Sequence, residues 1–250
     1  MASPGRLFMV GLLAAVCAVG WALDADEHTL LMCRFDGSAV ADFAVGSPHP
    51  EGVVGLTDGK HGRALSAPLG LLPYEQSVAP ITTGIMYATA GNFDLQQGTI
   101  ELWVRSYSGV TEVTEQSPKL RYLVSSGKYT TANHGFALLL SRFEQPEGGG
   151  YVLMWTRGNG SKEKSWGVNG KVAWKPGEWH HVAVTYSPTE DALYADGKLV
   201  GKVKTGEGMD IIGEQVALGA NHYHGHVCDC ALDEVRFSDT VRYTGDFTVQ

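Results

Sequence analysis

The sequence predicts an all-β chain folded as a two-sheet antiparallel β-sandwich. Short runs with period-two alternation or dense β-branched and aromatic content dominate from His28 onward, and 32 glycines are spread among the breaks between them. No comparable window carries helical periodicity, so two packed sheets are the economical way to bury these runs.

Taken in order, the expected strands are Thr29–Phe35, Thr99–Arg105, Leu120–Ser125, Phe136–Ser141 and Tyr151–Thr156, followed by His180–Tyr186, Asp191–Tyr194, Lys198–Lys202, Gln215–Leu218 and Ala231–Phe237. In each, alternate side chains turn one face of the strand toward a core. The sharpest local signal is Leu193-Tyr194-Ala195-Asp196-Gly197-Lys198-Leu199-Val200. There Asp-Gly joins two strand-like runs and supplies the positive φ angles of a type I′ hairpin. The stretch from Pro73 to Asn92 has no clear period, and Glu144 to Gly150 reads as a polar, glycine-rich loop.

The N-terminus reads as an export signal over residues 1–22: Arg6, an apolar run from Leu7 to Val19, then small residues up to Ala22. That run is shorter than the ~20 apolar residues of a membrane-spanning helix, and no later run approaches that length. The expected product is one domain over residues 28–250, without a membrane span, secreted, periplasmic or at the cell surface. Its acidic balance, with a formal charge of -8, argues against nucleic acid and anionic membranes as partners. Beyond the signal stand three cysteines, Cys33, Cys228 and Cys230. In an exported chain an odd number implies one disulfide with a free thiol, or metal ligation.

A set of motifs then adds more than a fold class. They run from Leu30-Leu31-Met32-Cys33-Arg34-Phe35-Asp36 and Gly59-Lys60-His61-Gly62-Arg63-Ala64-Leu65-Ser66 to Gly98-Thr99-Ile100-Glu101-Leu102-Trp103-Val104. After these come Gly177-Glu178-Trp179-His180-His181-Val182-Ala183-Val184-Thr185-Tyr186, the Tyr194 to Lys198 hairpin, Leu218-Gly219-Ala220 and Leu232-Asp233-Glu234-Val235-Arg236-Phe237. In this order they resemble the laminin G-like, concanavalin A-like jelly rolls of the lectin and glucanase superfamily. The resemblance implies two antiparallel sheets face to face, and a module that binds carbohydrate or an extracellular protein.

It also implies that the first and last strands are neighbours in one sheet, which would let Cys33 pair with Cys228 or Cys230 and would bring Asp36 near Asp233. Calcium-binding members hold the ion with carboxylates and backbone carbonyls, so Asp36 and Asp233 are the calcium candidates. Both aspartates also have a plain structural reading, as a turn cap and as an acceptor of backbone N–H groups.

Alternation places Trp103 and Trp179 among the core aromatics and sends His180 and His181 to opposite faces, so the two histidines cannot share an ion. The His222-Tyr223-His224-Gly225-His226 stretch leads into Cys228 and Cys230. If extended, it would align His222, His224 and His226 on one face, a donor set suited to zinc or copper. For sugar binding, Trp166 in an expected polar loop is the stacking candidate, with Asn169 as its hydrogen-bonding neighbour. No Glu-x-Asp-x-Glu triplet occurs that would aim a catalytic pair of carboxylates from one strand. The expected function is therefore exported, non-catalytic glycan recognition. A glycan-active hydrolase or lyase and a structural envelope or matrix protein are the alternatives.

Overall fold

The computed structural model of the chain describes residues 23–52, 55–67, 84–107, 120–127, 135–143, 150–160, 164–210, 212–221 and 228–249. The strands in chain order are β1 (Thr29–Cys33), β2 (Phe43–Ala44), β3 (Glu51–Gly52), β4 (Gly55–Asp58), β5 (Arg63–Ala67), β6 (Ile85–Ala88), β7 (Gly98–Ser106) and β8 (Leu120–Ser126). They continue as β9 (Phe136–Phe143), β10 (Gly150–Asn159), β11 (Lys164–Val172), β12 (Trp179–Tyr186), β13 (Glu190–Ala195), β14 (Lys198–Lys204), β15 (Gln215–Leu218) and β16 (Cys230–Ser238).

They form two sheets, as expected. A nine-stranded sheet runs β14-β13-β12-β7-β16-β1-β2, with β5 also on β16 and β4 on β5. The seven-stranded sheet runs β11-β10-β9-β8-β15-β6-β3. Inward-facing residues of both sheets make one core, with Ile100, Leu102, Val104, Val182, Val184 and Phe237 from the first against Leu138, Leu140, Leu153, Trp155, Val216 and Leu218 from the second. Phe93 stacks on Phe136 at 4.8 Å and on Tyr186 at 5.5 Å between centroids. A buried ion pair crosses the same interior: Arg157 of β10 donates through Nε and Nη2 to Asp191 of β13 at 2.6 and 2.9 Å, and Trp155 Nε1 adds a bond of 2.9 Å.

The Asp196-Gly197 turn has φ of 49° and 75° and joins β13 to β14 as the sequence predicts. On β16 the neighbour changes midway. Residues 230–232 pair with β5 and residues 235–238 with β1, while Glu234 sits at the switch with φ 49° and the register against β7 shifts between Asp233 and Arg236. The bulge turns both Asp233 and Glu234 into places where an ordinary strand would show only one.

The expected disulfide is corrected by this register. Cys33 lies opposite Val235, and Cys230 stands five positions earlier on β16, opposite Ala67 and Ser106. At a rise of ~3.3 Å per residue that is about 17 Å, well beyond the ~7 Å a bridge tolerates. All three cysteines are free and buried. Burial pushes the Cys33 thiol up to about 12 and that of Cys228 well above its ordinary value.

Candidate functional site

Two regions occupy the outer face of the nine-stranded sheet. One half lies under the C-terminal segment. Phe247 N–H donates to the Gly197 carbonyl at 2.8 Å, Leu199 N–H to Asp246 Oδ1 at 2.9 Å, and Tyr243 stacks on Phe247 at 3.6 Å. Beneath them Glu101 of β7 accepts from Arg236 Nε and from the Tyr243 hydroxyl, at 2.8 and 2.7 Å, with His181 Nε2 at 3.4 Å. Burial alone would raise the Glu101 pKa; His181, Arg236 and Tyr243 outweigh it and hold the carboxyl at about 2. Arg242 clamps Asp26 through two nitrogens at 2.8 and 2.6 Å, which ties the C-terminal segment to the N-terminal one. A cleft of about 850 Å³ opens between these segments over Glu101, His181 and Arg236. Its charged groups are spent on one another, so it works first as a clamp.

Over the other half no segment is packed among the described residues. Trp103 and Arg105 of β7 stand opposite His181 and Trp179 of β12. Lys60 Nζ lies 4.4 Å from the centre of the Trp103 ring, and the Arg105 guanidinium 4.8 Å from that of Trp179. Arg105 Nη2 also donates to the Asp58 carbonyl at 2.9 Å, and the Tyr107 hydroxyl meets Ser66 Oγ at 2.8 Å. Neither tryptophan belongs to the core, contrary to the sequence expectation, and both are half-buried on this outer face. Both strands alternate, but the inward phase belongs to Ile100, Leu102 and Val104, and to Val182 and Val184.

Asp233 explains how Lys60 comes to stand here. Its Oδ2 accepts the N–H groups of Lys60 and His61 at 2.7 and 3.0 Å, and its Oδ1 accepts that of Glu234 at 2.8 Å. Asp36 Oδ1 takes the Arg63 N–H at 3.0 Å. The turn between β4 and β5 is thus pinned by the two expected aspartates. Gly62, with φ +48°, leaves room for Asp36, whose Oδ1 would lie 1.7 Å from an added Cβ. Burial pushes Asp233 up to about 6 and Glu234 up to about 7, against hydrogen bonds that lower both, and the charge of Asp36 adds to each. Glu234 Oε1 is buried without a hydrogen-bond partner. Among the described residues no three His, Cys, Asp or Glu side chains converge on a point that could hold a metal ion.

Trp166 and Asn169 are not in a loop. Both lie on β11, an edge strand paired with β10. Trp166 shares the side of Val168 and Val172, which reach the core, and Asn169 is exposed on the other, so the two do not flank one ligand. The half-buried Trp166 ring packs on Arg157 at 5.0 Å. His222, His224 and His226 lie outside the described residues, as does the expected signal peptide. His180 and His181 do separate: the first stacks on Trp174 at 4.4 Å, and the second meets Trp103 edge-on.

The sequence pattern described as concanavalin A-like lectin/glucanases superfamily, laminin G-like type, matches residues 82–245. The chain belongs to this superfamily. Among solved structures, the botulinum neurotoxin serotype G binding domain superimposes with a TM-score of 0.63 at 11% identity, over 86% of this chain and 48% of that one. Domain 4 of AbnA, an extracellular GH43 arabinanase from Geobacillus stearothermophilus, solved with arabinotriose, gives 0.57 at 17% identity over 89% and 96%. The binding domain of botulinum neurotoxin DC, in complex with SialylT, gives 0.57 at 12% over 86% and 48%. This superfamily member thus spans about half the length of the toxin domains and nearly all of the arabinanase domain. At these identities the likeness is one of fold. No curated protein matches the chain significantly in sequence.

Proposed function

We propose that this superfamily member is an exported, non-catalytic module that binds a glycan or a glycan-bearing surface. The observation that carries the reading is the half-buried Trp166 ring. Arg157 holds one side of it and is itself locked by Asp191 in the core, so the ring is ordered before any ligand arrives. A pre-ordered indole gives a sugar ring an apolar seat at little entropic cost. Structural relatives solved with arabinotriose and with SialylT support the same reading.

Calcium enters the proposal as a stabilising ion beside Asp36 and Asp233. Asp233 and Asp36 already accept backbone N–H groups, so backbone carbonyls would have to supply most of the 6–8 oxygens the ion takes.

A polysaccharide array with a parallel assay for new chain ends tests the function. Binding without released reducing ends or unsaturated products is expected. Trp166→Ala should weaken binding several-fold, since stacking on an indole is worth on the order of 1–2 kcal/mol. Released products would establish an enzyme instead.

A further inference from the structure

The second half of the nine-stranded sheet's outer face carries charge of the wrong sign for this protein. The chain has 27 acidic residues against 19 Lys and Arg. Yet Lys60 and Arg105 stand at the β4–β5 turn and the adjoining end of β7, and among the described residues neither has a carboxylate partner within ion-pair distance. Both are held in place by indoles. Lys60 lies over Trp103, its backbone fixed by Asp233, and Arg105 lies over Trp179 with one nitrogen on the Asp58 carbonyl. A cation held over an aromatic face loses little further freedom when an anion reaches it.

The patch is also broad. Ser66 of β5, Ala231 of β16 and Arg105 of β7 stand in register across the sheet, which spreads the site over two inter-strand spacings, about 10 Å. That is wider than one phosphate or carboxylate and suits a chain of repeating charge. Beside the cations, the paired hydroxyls of Tyr107 and Ser66 both donate and accept, as sugar hydroxyls do. Arg105 keeps most of its planar fork of N–H donors, the shape that matches a carboxylate.

We propose that this face binds an acidic, uronate-bearing polysaccharide through Lys60 and Arg105, with Trp103 and Trp179 ordering the cations. The proposal rests on the glycan-binding reading and places an anion-binding site at the end of β12 opposite Trp166. Arg157, under Trp166, donates to the Ser187 carbonyl just past the C-terminal end of β12, whereas Trp179 begins that strand.

The test measures binding of the full chain to polygalacturonate, to the same polymer with its carboxyls reduced, to dextran sulfate, which carries sulfate but no uronate, and to duplex DNA, in low and moderate salt. Binding to polygalacturonate is expected, at least ~10-fold weaker on the reduced polymer and weakened by salt. Lys60→Glu and Arg105→Gln should each lower affinity ~3- to 10-fold. Both side chains reach solvent, so the melting temperature should hold, and Trp166→Ala should leave this binding unchanged. Equal binding to the reduced polymer, preference for the sulfated chain or DNA, or full affinity in both variants would overturn the proposal. Binding to neutral glycans alone would overturn it and leave the glycan reading standing; no binding to any polysaccharide would overturn both.

Discussion

Glu101 shows how one residue position sets a local balance. Its neighbours Arg236, His181 and Tyr243 hold its carboxyl at about 2 against a burial that pushes the other way. A depressed carboxyl contributes stability above its unfolded pKa and loses it as pH falls through the folded value. Glu101 should therefore cost the protein about 3 kcal/mol between pH ~4.5 and ~2. Denaturant titrations across that window should show a shallower loss in Glu101→Gln than in the wild type; parallel curves would show that the network does not favour the ionised form. At Asp233 and Glu234 the charge balance is unfavourable instead, because burial raises the pKa of both and neighbouring carboxylates add to it. If calcium occupies this place, millimolar calcium should raise the melting temperature relative to chelator by mass action. The gain should be smaller in Asp233→Asn, and an unchanged melting curve would remove calcium from the proposal.

At the scale of elements, the β13–β14 hairpin does two jobs. Asp196 and Gly197 close it with positive φ, and the Gly197 carbonyl receives the Phe247 amide of the C-terminal segment. A Cβ on Gly197 would meet the Phe247 carbonyl oxygen at 2.2 Å. Gly197→Ala should cost ~1–2 kcal/mol from the left-handed backbone alone, and more from displacing Phe247. Hydrogen exchange should then quicken at the Phe247 and Leu199 amides; unchanged protection and an unchanged denaturation midpoint would show that the segment does not depend on this contact. The edge strand β11 reads as a polar loop in the sequence, Lys164-Ser165-Trp166-Gly167-Val168-Asn169. Its pairing with β10 runs through the backbone over nine residue pairs, and backbone pairing leaves little trace in side-chain pattern.

For the whole molecule, the inter-sheet pair Arg157–Asp191 matters most among the polar contacts. It joins β10 of one sheet to β13 of the other, with Trp155 on the same carboxylate and both partners fully buried. Asp191→Ala leaves a guanidinium without its counter-charge in the core and should cost about 3–5 kcal/mol. A denaturant midpoint close to wild type would mean that Arg157 finds solvent or another acceptor. The same variant should loosen the Trp166 ring, since Arg157 supports it, and so link the core to the proposed glycan contact.

The sequence by itself determined the architecture of this protein. All ten expected strands are present with ends within three residues, the Asp196-Gly197 hairpin follows from pattern, and the nearness of Asp36 to Asp233 follows from the family resemblance. Alternation is a local property, set by each strand needing one apolar face, so it survives in the sequence. Only the tertiary structure decided which face of β7 and β12 turns inward, leaving Trp103 and Trp179 half-buried outside the core. It alone set the register that parts Cys33 from Cys230 and the bulge at Glu234. The cations over the two indoles come from β4–β5 and β7, segments far apart in sequence, and their meeting is created by strand order and register. No window of the sequence encodes that meeting, because the energy that enforces it is the packing of one sheet against the other.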